Sequence, residues 1–217
     1  MGNNMAQIAE EQRIAEEQRI EENRIAEEFR IAEEKRIAHE KRISDCCEIL
    51  LQKEFPLHEA ALEGDNCVID HLIVHCNLDV NSKNDIDWAP LHCAAHYGLT
   101  DTVEHLLNRG AEVNSKTGDS GGCRGWTPLH CAAHFGYTKT VEHLLNRGAE
   151  VNSSDGGGRT PLHHAVSLGH TDTVEHLLTK GAEVNSKDGQ DNTPLRLAEH
   201  RRRSDAVVLL KANGGTL

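Results

Sequence analysis

Aromatic residues are scarce in this chain of 217 residues, with two Trp, two Tyr and three Phe making up 3% of it. Together with a mean hydropathy of -0.56, that scarcity argues against one large compact core and favours units that each bury little surface. No apolar run approaches the roughly 18 residues needed to span a bilayer, and the opening MGNNMAQIAEEQRI lacks the apolar stretch of a signal peptide. The chain is therefore expected to stay off the membrane, in the cytoplasm with the nucleus as the second choice. Gly2 suggests an N-myristoylation frame, but Ala6 stands where Ser or Thr is wanted. Cysteine is present but unpaired in pattern: seven residues, an odd number, with no CxxC pair. This excludes an evident disulfide framework and fits a reducing compartment. Basic charge is also short, with 23 Lys and Arg against 35 Asp and Glu, for a net charge of -12. Residues 1–50 hold 8 basic and 13 acidic side chains (-5) and the remainder 15 and 22 (-7). Such a surface repels phosphate backbones, so nucleic acid is not expected as a partner.

What is present falls into two patterns. From Ile8 to Ile43 a six-residue theme, RIAEEx, repeats, with Ile at 8, 14, 20, 25, 31, 37 and 43. Six residues advance about 240° around a helix, so these isoleucines visit three faces and make no heptad seam. The charges are better ordered. Arg13 stands three after Glu10 and four before Glu17, and the frame recurs at Arg24 (Glu21, Glu28), Arg30 (Glu27, Glu34) and Arg36 (Glu33, Glu40). Pairs at this spacing support a solvated helix, of about 54 Å over 36 residues. Residues 1–44 are thus expected to form a charged arm serving as a spacer, with homo-oligomerisation through residues 8–43 as the alternative. Ser44 and Asp45, with Glu48 completing an Asp-x-x-Glu box, are placed to cap a short new helix over 45–54.

The second pattern fills the rest. Pro56, Pro90, Pro128, Pro161 and Pro194 recur at spacings of 34, 38, 33 and 33, a period that means stacked units. Each unit reads as a Pro-Leu-His start, a short helix, a glycine, a second helix such as TVEHLL, then Gly-Ala-Glu-Val-Asn and a polar turn. Thr127, Thr160 and Thr193 suit the N-cap, with proline at the first helical position. Gly98, Gly136 and Gly169 suit the reversal between helices, and Gly110, Gly148 and Gly181 the end of the second. The segments TPLHCAA at Thr127–Ala133, APLHCAA, TPLHHAV and TPLRLAE resemble the ankyrin repeat family. The resemblance covers residues 55–217 and implies an all-α solenoid of five helix-turn-helix units with β-hairpin turns (55–84, 85–117, 118–155, 156–188 and 189–217). Repeat one departs from the pattern at Phe55 and Asn77, as an adapted terminal unit would. Repeat five carries Arg196 for the histidine and Arg201, Arg202 and Arg203 around the expected glycine, which suits a polar capping face.

Histidine invites a search for chemistry. His58, His92, His130 and His163 stand two after proline, where the resemblance implies hydrogen bonding within and between repeats. His92 with His96 and His130 with His134 have a one-turn spacing that can hold zinc, but the first of each pair is expected to be structural. Cys93 and Cys131 read as small buried side chains, and Cys123 as the most reactive thiol. His71, His105, His143 and His176 fall in one column on the second helices, a frame for proton sensing. No P-loop, nucleophile elbow, HExxH or paired-carboxylate frame is present, so neither catalysis nor a cofactor or metal is expected. The resemblance instead implies a protein partner on the concave face and hairpin tips of repeats two to four. Positions two before, six after and seven after each proline are Trp88, His96 and Tyr97; Trp126, His134 and Phe135; Arg159, Ser167 and Leu168; and Asn192, His200 and Arg201. Four of the seven aromatics fall in this set. Five extra residues between Asn114 and Pro128 give a glycine-rich loop, TGDSGGCRG, beside them; it is either a cover for a bound segment or a tolerated insertion.

Overall fold

A computed structural model describes the backbone of residues 2–119 and 122–217, and the side chains of 16, 18, 19, 21–119 and 122–217. The chain divides into two compact units, Met1–Cys46 and Cys47–Leu217. All regular structure among the described residues is helical.

Helix α1 runs Gly2–Leu50. The cap expected at Ser44 and Asp45 does not form, because the helix continues through both; no glycine or proline stands between Gly2 and Pro56 to break it. Residues 51–54 are turns and bends, so no separate helix occupies 45–54. In the first unit the anticipated pairs are made. Arg24 contacts Glu21 and Glu28 at 2.5 Å, Arg30 contacts Glu27 and Glu34 at 2.5 Å, and Arg36 contacts Glu33 and Glu40 at 2.6 Å. Ile25, Ile31, Ile37 and Phe29 are all exposed, as a pattern that winds around the helix requires. Ile8, Ile14, Ile20 and the Arg13 group lie outside the residues whose side chains are described.

The second unit is a stack of five helix pairs: α2 (Pro56–Glu63) with α3 (Asn66–Val74), α4 (Pro90–His96) with α5 (Thr100–Asn108), α6 (Pro128–Phe135) with α7 (Thr138–Asn146), α8 (Pro161–Leu168) with α9 (Thr171–Thr179), and α10 (Pro194–His200) with α11 (Ser204–Ala212). First helices pack on first helices and second on second. The core is a column of one leucine per unit, Leu57, Leu91, Leu129, Leu162 and Leu195, all essentially inaccessible, backed by Val103, Val141, Val174, Leu106, Leu144 and Leu177. Each such side chain contributes about 1.5–3 kcal/mol by burial, which is how a chain poor in aromatics stabilises itself. Cys47 and Leu50 are buried at the first end of this unit.

The anticipated β-hairpins carry no strands among the described residues. Their tips are tight turns closed by one or two backbone bonds, such as Asp155 N–H to Arg159 O at 2.9 Å and Gly158 N–H to Asp155 O at 3.0 Å, too few for a ladder. The residue three before proline is left-handed in repeats two to five, as Asp87, Gly125, Gly158 or Asp191. The preceding Asn84, Asp155 and Asp188 take tip N–H groups on their side chains.

Candidate protein-binding site

The histidines after proline are used by the fold, three of them at both ring nitrogens. In His92, Nδ1 accepts from Ala89 N–H at 3.1 Å, which leaves the proton on Nε2 to donate to Trp126 O at 3.1 Å, one unit on. His130 bridges Thr127 N–H and Arg159 O, and His163 bridges Thr160 N–H and Asn192 O, all at 3.1 Å; His58 reaches Trp88 O at 2.7 Å. Burial pushes His92 and His130 down to about 4 and lowers His58 and His163. These rings are neutral, with both nitrogens of His92, His130 and His163 engaged, so they are not available as ligands. Among the described residues no group of three His, Cys, Asp or Glu is arranged to hold a metal ion.

A second ladder was not anticipated. Asn81, Asn114, Asn152 and Asn185 each donate from Nδ2 to the carbonyl of Gly110, Gly148, Gly181 or Gly214 and accept at Oδ1 from an N–H two residues beyond it. The recurrence of Val-Asn was the signal for it. Cys93 and Cys131 are buried, and burial raises the first thiol to about 12 and the second well above its ordinary value. Cys123 is corrected in the same sense: it is half-buried, and burial raises its thiol, which disfavours the thiolate. In the second-helix column His105 donates to Asp70 at 2.6 Å, sharing that carboxylate with Arg109 at 2.8 Å, while His143 lies 3.8 Å from Glu104.

What the stack leaves over is an aromatic and imidazole strip along the first helices. The Trp88 ring meets His96 at 5.2 Å, His96 meets Phe135 at 4.4 Å, Phe135 meets His134 at 4.9 Å, His134 meets Trp126 at 5.0 Å, and Trp126 meets His164 at 4.6 Å. The expected residues of repeats two and three are therefore brought together, but not all are exposed. Trp126 is only 7% exposed, its ring walled by His134 and His164 and its backbone N–H donated to Thr117 Oγ1 at 2.8 Å. Trp88 and His96 are half-buried. The accessible apolar members are Tyr97 (57%), Phe135 (38%) and Leu168 (38%), which share one position, seven after proline. Arg159 is exposed and Ser167 and Asn192 are half-buried.

His164 was missed, although it stands where repeats two and three have Cys93 and Cys131. It donates from Nε2 to Asp155 Oδ2 at 2.9 Å. Burial opposes charge on Asp155, yet this bond and the Arg159 and Gly157 N–H groups hold its carboxyl down to about 2. Beside the pair lies a cavity of about 280 Å³ walled by Trp126, His134, His164, Leu168, Leu197 and Arg201. Arg201, the position seven after proline in repeat five, lines this cavity, and Arg203 bends back to donate to Ser167 O at 3.3 Å. The described flanks of the glycine-rich loop are fixed: Arg124 O accepts from Gly156 N–H at 2.9 Å, and the Arg124 side chain pairs with Asp119 at 2.6 Å.

The family model for ankyrin repeats (3 copies) matches at residues 36–117, 57–155, 116–188 and 153–216. The chain belongs to the ankyrin repeat family. Over 61 residues it is 38% identical to alpha-latrocrustotoxin-Lt1a of Latrodectus tredecimguttatus, covering 28% of this chain and 4% of the toxin. Over 64 residues it is 34% identical to human protein phosphatase 1 regulatory subunit 27, covering 29% of this chain and 40% of that one. Over 70 residues it is 34% identical to the mouse SMC5-SMC6 complex localization factor protein 1, covering 31% and 6%. The chain thus spans between 4% and 40% of the length of these curated relatives. Ankyrin arrays in general mediate protein–protein interaction and are not catalysts. No described helix of this array or its arm is long and apolar enough to cross a membrane.

Proposed function

We propose that the chain is a non-enzymatic adaptor or scaffold that captures a protein partner on the first-helix face of repeats two to four. The observation that supports this reading is the row Tyr97, Phe135, Leu168: three large apolar side chains left exposed at one repeat position while Leu91, Leu129 and Leu162 on the same helices are buried. Stacking needs none of the three, and exposed aromatic clusters are what interface hot spots are built from. His96 and His134 meet Tyr97 and Phe135 ring to ring, Trp88 and Trp126 back those histidines in turn, and Arg159, Ser167 and Asn192 extend the row toward the last tips. The relatives that are a phosphatase regulatory subunit and a complex localization factor by name fit an adaptor role. The charged arm is assigned the role of spacer, because its exposed isoleucines do not gather on one face.

The test replaces Tyr97 and Phe135 by alanine and repeats capture from native extract. Tyr97 is largely exposed but Phe135 gives up its ring contacts to His96 and His134, so the melting temperature is expected to fall modestly, the variant staying folded, while recovery of the wild-type partners falls about tenfold or more. Undiminished capture by a folded double variant would remove this face from consideration.

A further inference from the structure

We propose that the cavity behind Leu168 takes one apolar side chain of an acidic peptide, whose carboxylate groups are received by Arg159 and Arg201. This rests on the adaptor reading above and specifies its partner. The first argument is charge. The chain as a whole is -12, but the rim of this cavity is basic. The two nearby carboxylates are spoken for: Asp155 is bonded to His164 and two backbone N–H groups, and Asp188 accepts from Gln190, the Asn192 N–H and the Asn192 side chain. Their side chains are 7% and 1% exposed. Arg159 reaches Asp188 only at 3.8 Å, by Nε, so its guanidinium keeps free donors. Arg201 forms no ion pair among the described residues and is exposed. Arginine forks of this kind match carboxylates bidentately.

The second argument is size and register. At about 280 Å³ the cavity falls below the roughly 300–1,000 Å³ of sites for whole small molecules, and suits a single side chain against Trp126, Leu168 and Leu197. The position seven after proline reads Tyr97, Phe135, Leu168 and then Arg201. An extended segment lying along this row passes from apolar contacts to a cation. At the cavity wall His134 has a buried Nδ1 with no partner among the described residues, an unmet polar atom beside the path of such a segment.

The experiment pans a phage-displayed random peptide library on the full-length chain and, in parallel, on Arg159→Glu/Arg201→Glu and Tyr97→Ala/Phe135→Ala, with selected peptides titrated by fluorescence polarisation. The wild type is expected to enrich net-acidic peptides with an aromatic or aliphatic residue beside Asp or Glu. The arginine pair is expected to weaken them by about tenfold or more, with melting lowered only modestly by the carboxylate set beside Asp188 and the variant still folded. Neutral or basic selections, no enrichment, or undiminished binding to the arginine variant overturns the proposal. If selected peptides need Tyr97 and Phe135 but not the arginines, the apolar row stands and the acidic specificity fails. If they need neither pair, both readings fail together.

Discussion

The tautomers of His92 and His130 are set by backbone geometry, and this makes the stack sensitive to acid. An unfolded histidine titrates near 6.5, whereas burial holds these two at about 4. The folded state therefore disfavours the proton: the stability is fully present above about pH 6.5 and is lost as pH falls towards 4. Each ring contributes up to about 3 kcal/mol over that window. Urea midpoints are expected to decline steadily from about pH 7 to pH 5, before Asp155, held to about 2, begins to protonate. A constant midpoint across that range would contradict the assignment. The role of these histidines was legible through the family resemblance that their place after proline carries. The burial of Trp126 was not, because nothing in the local sequence says that His164, 38 residues on, will close over its ring.

Among the elements, the short helices are defined by their ends more than by propensity. Gly136 closes α6 at φ 73°, and an added Cβ would sit 2.5 Å from the His170 ring, which is itself fixed by donation to His134 O at 2.9 Å. Gly136→Ala is expected to cost at least 1–2 kcal/mol, roughly, read as a fall in the thermal midpoint. The same place in repeat five is Arg202, left-handed at φ 57° without being glycine. Replacing it by glycine relieves about 1 kcal/mol of backbone strain but costs about 0.5–1 kcal/mol in chain entropy. Thermal melting of Arg202→Gly should thus lie close to wild type, in contrast to the alanine variant. Helix positions, proline starts and glycine stops could be read from the period alone. The unbroken passage of α1 through Ser44 and Asp45 could not, since a cap sequence is used only where the backbone already turns.

At the scale of the whole molecule, the two units answer different tests. Removing residues 1–44 keeps Cys47 and Leu50, which are buried in the repeat unit, and is expected to leave its unfolding midpoint unchanged. Removal through residue 51 takes both away and should lower it. Sedimentation of the full chain is expected to give a monomer, in keeping with the spacer role; a dimer lost on truncation would favour the arm as an assembler instead. The bonds made across units by the histidines after proline all run one way, from each unit to the tip that follows. A copied unit placed between repeats three and four would inherit a donor behind it and an acceptor ahead, whereas one joined after residue 217 would meet Arg196 in place of an imidazole. Residues 102–115 and 140–153 are identical, the trace expected of growth by internal duplication. Array length in this chain is thus a heritable variable that can change from the middle without breaking a bond at either end.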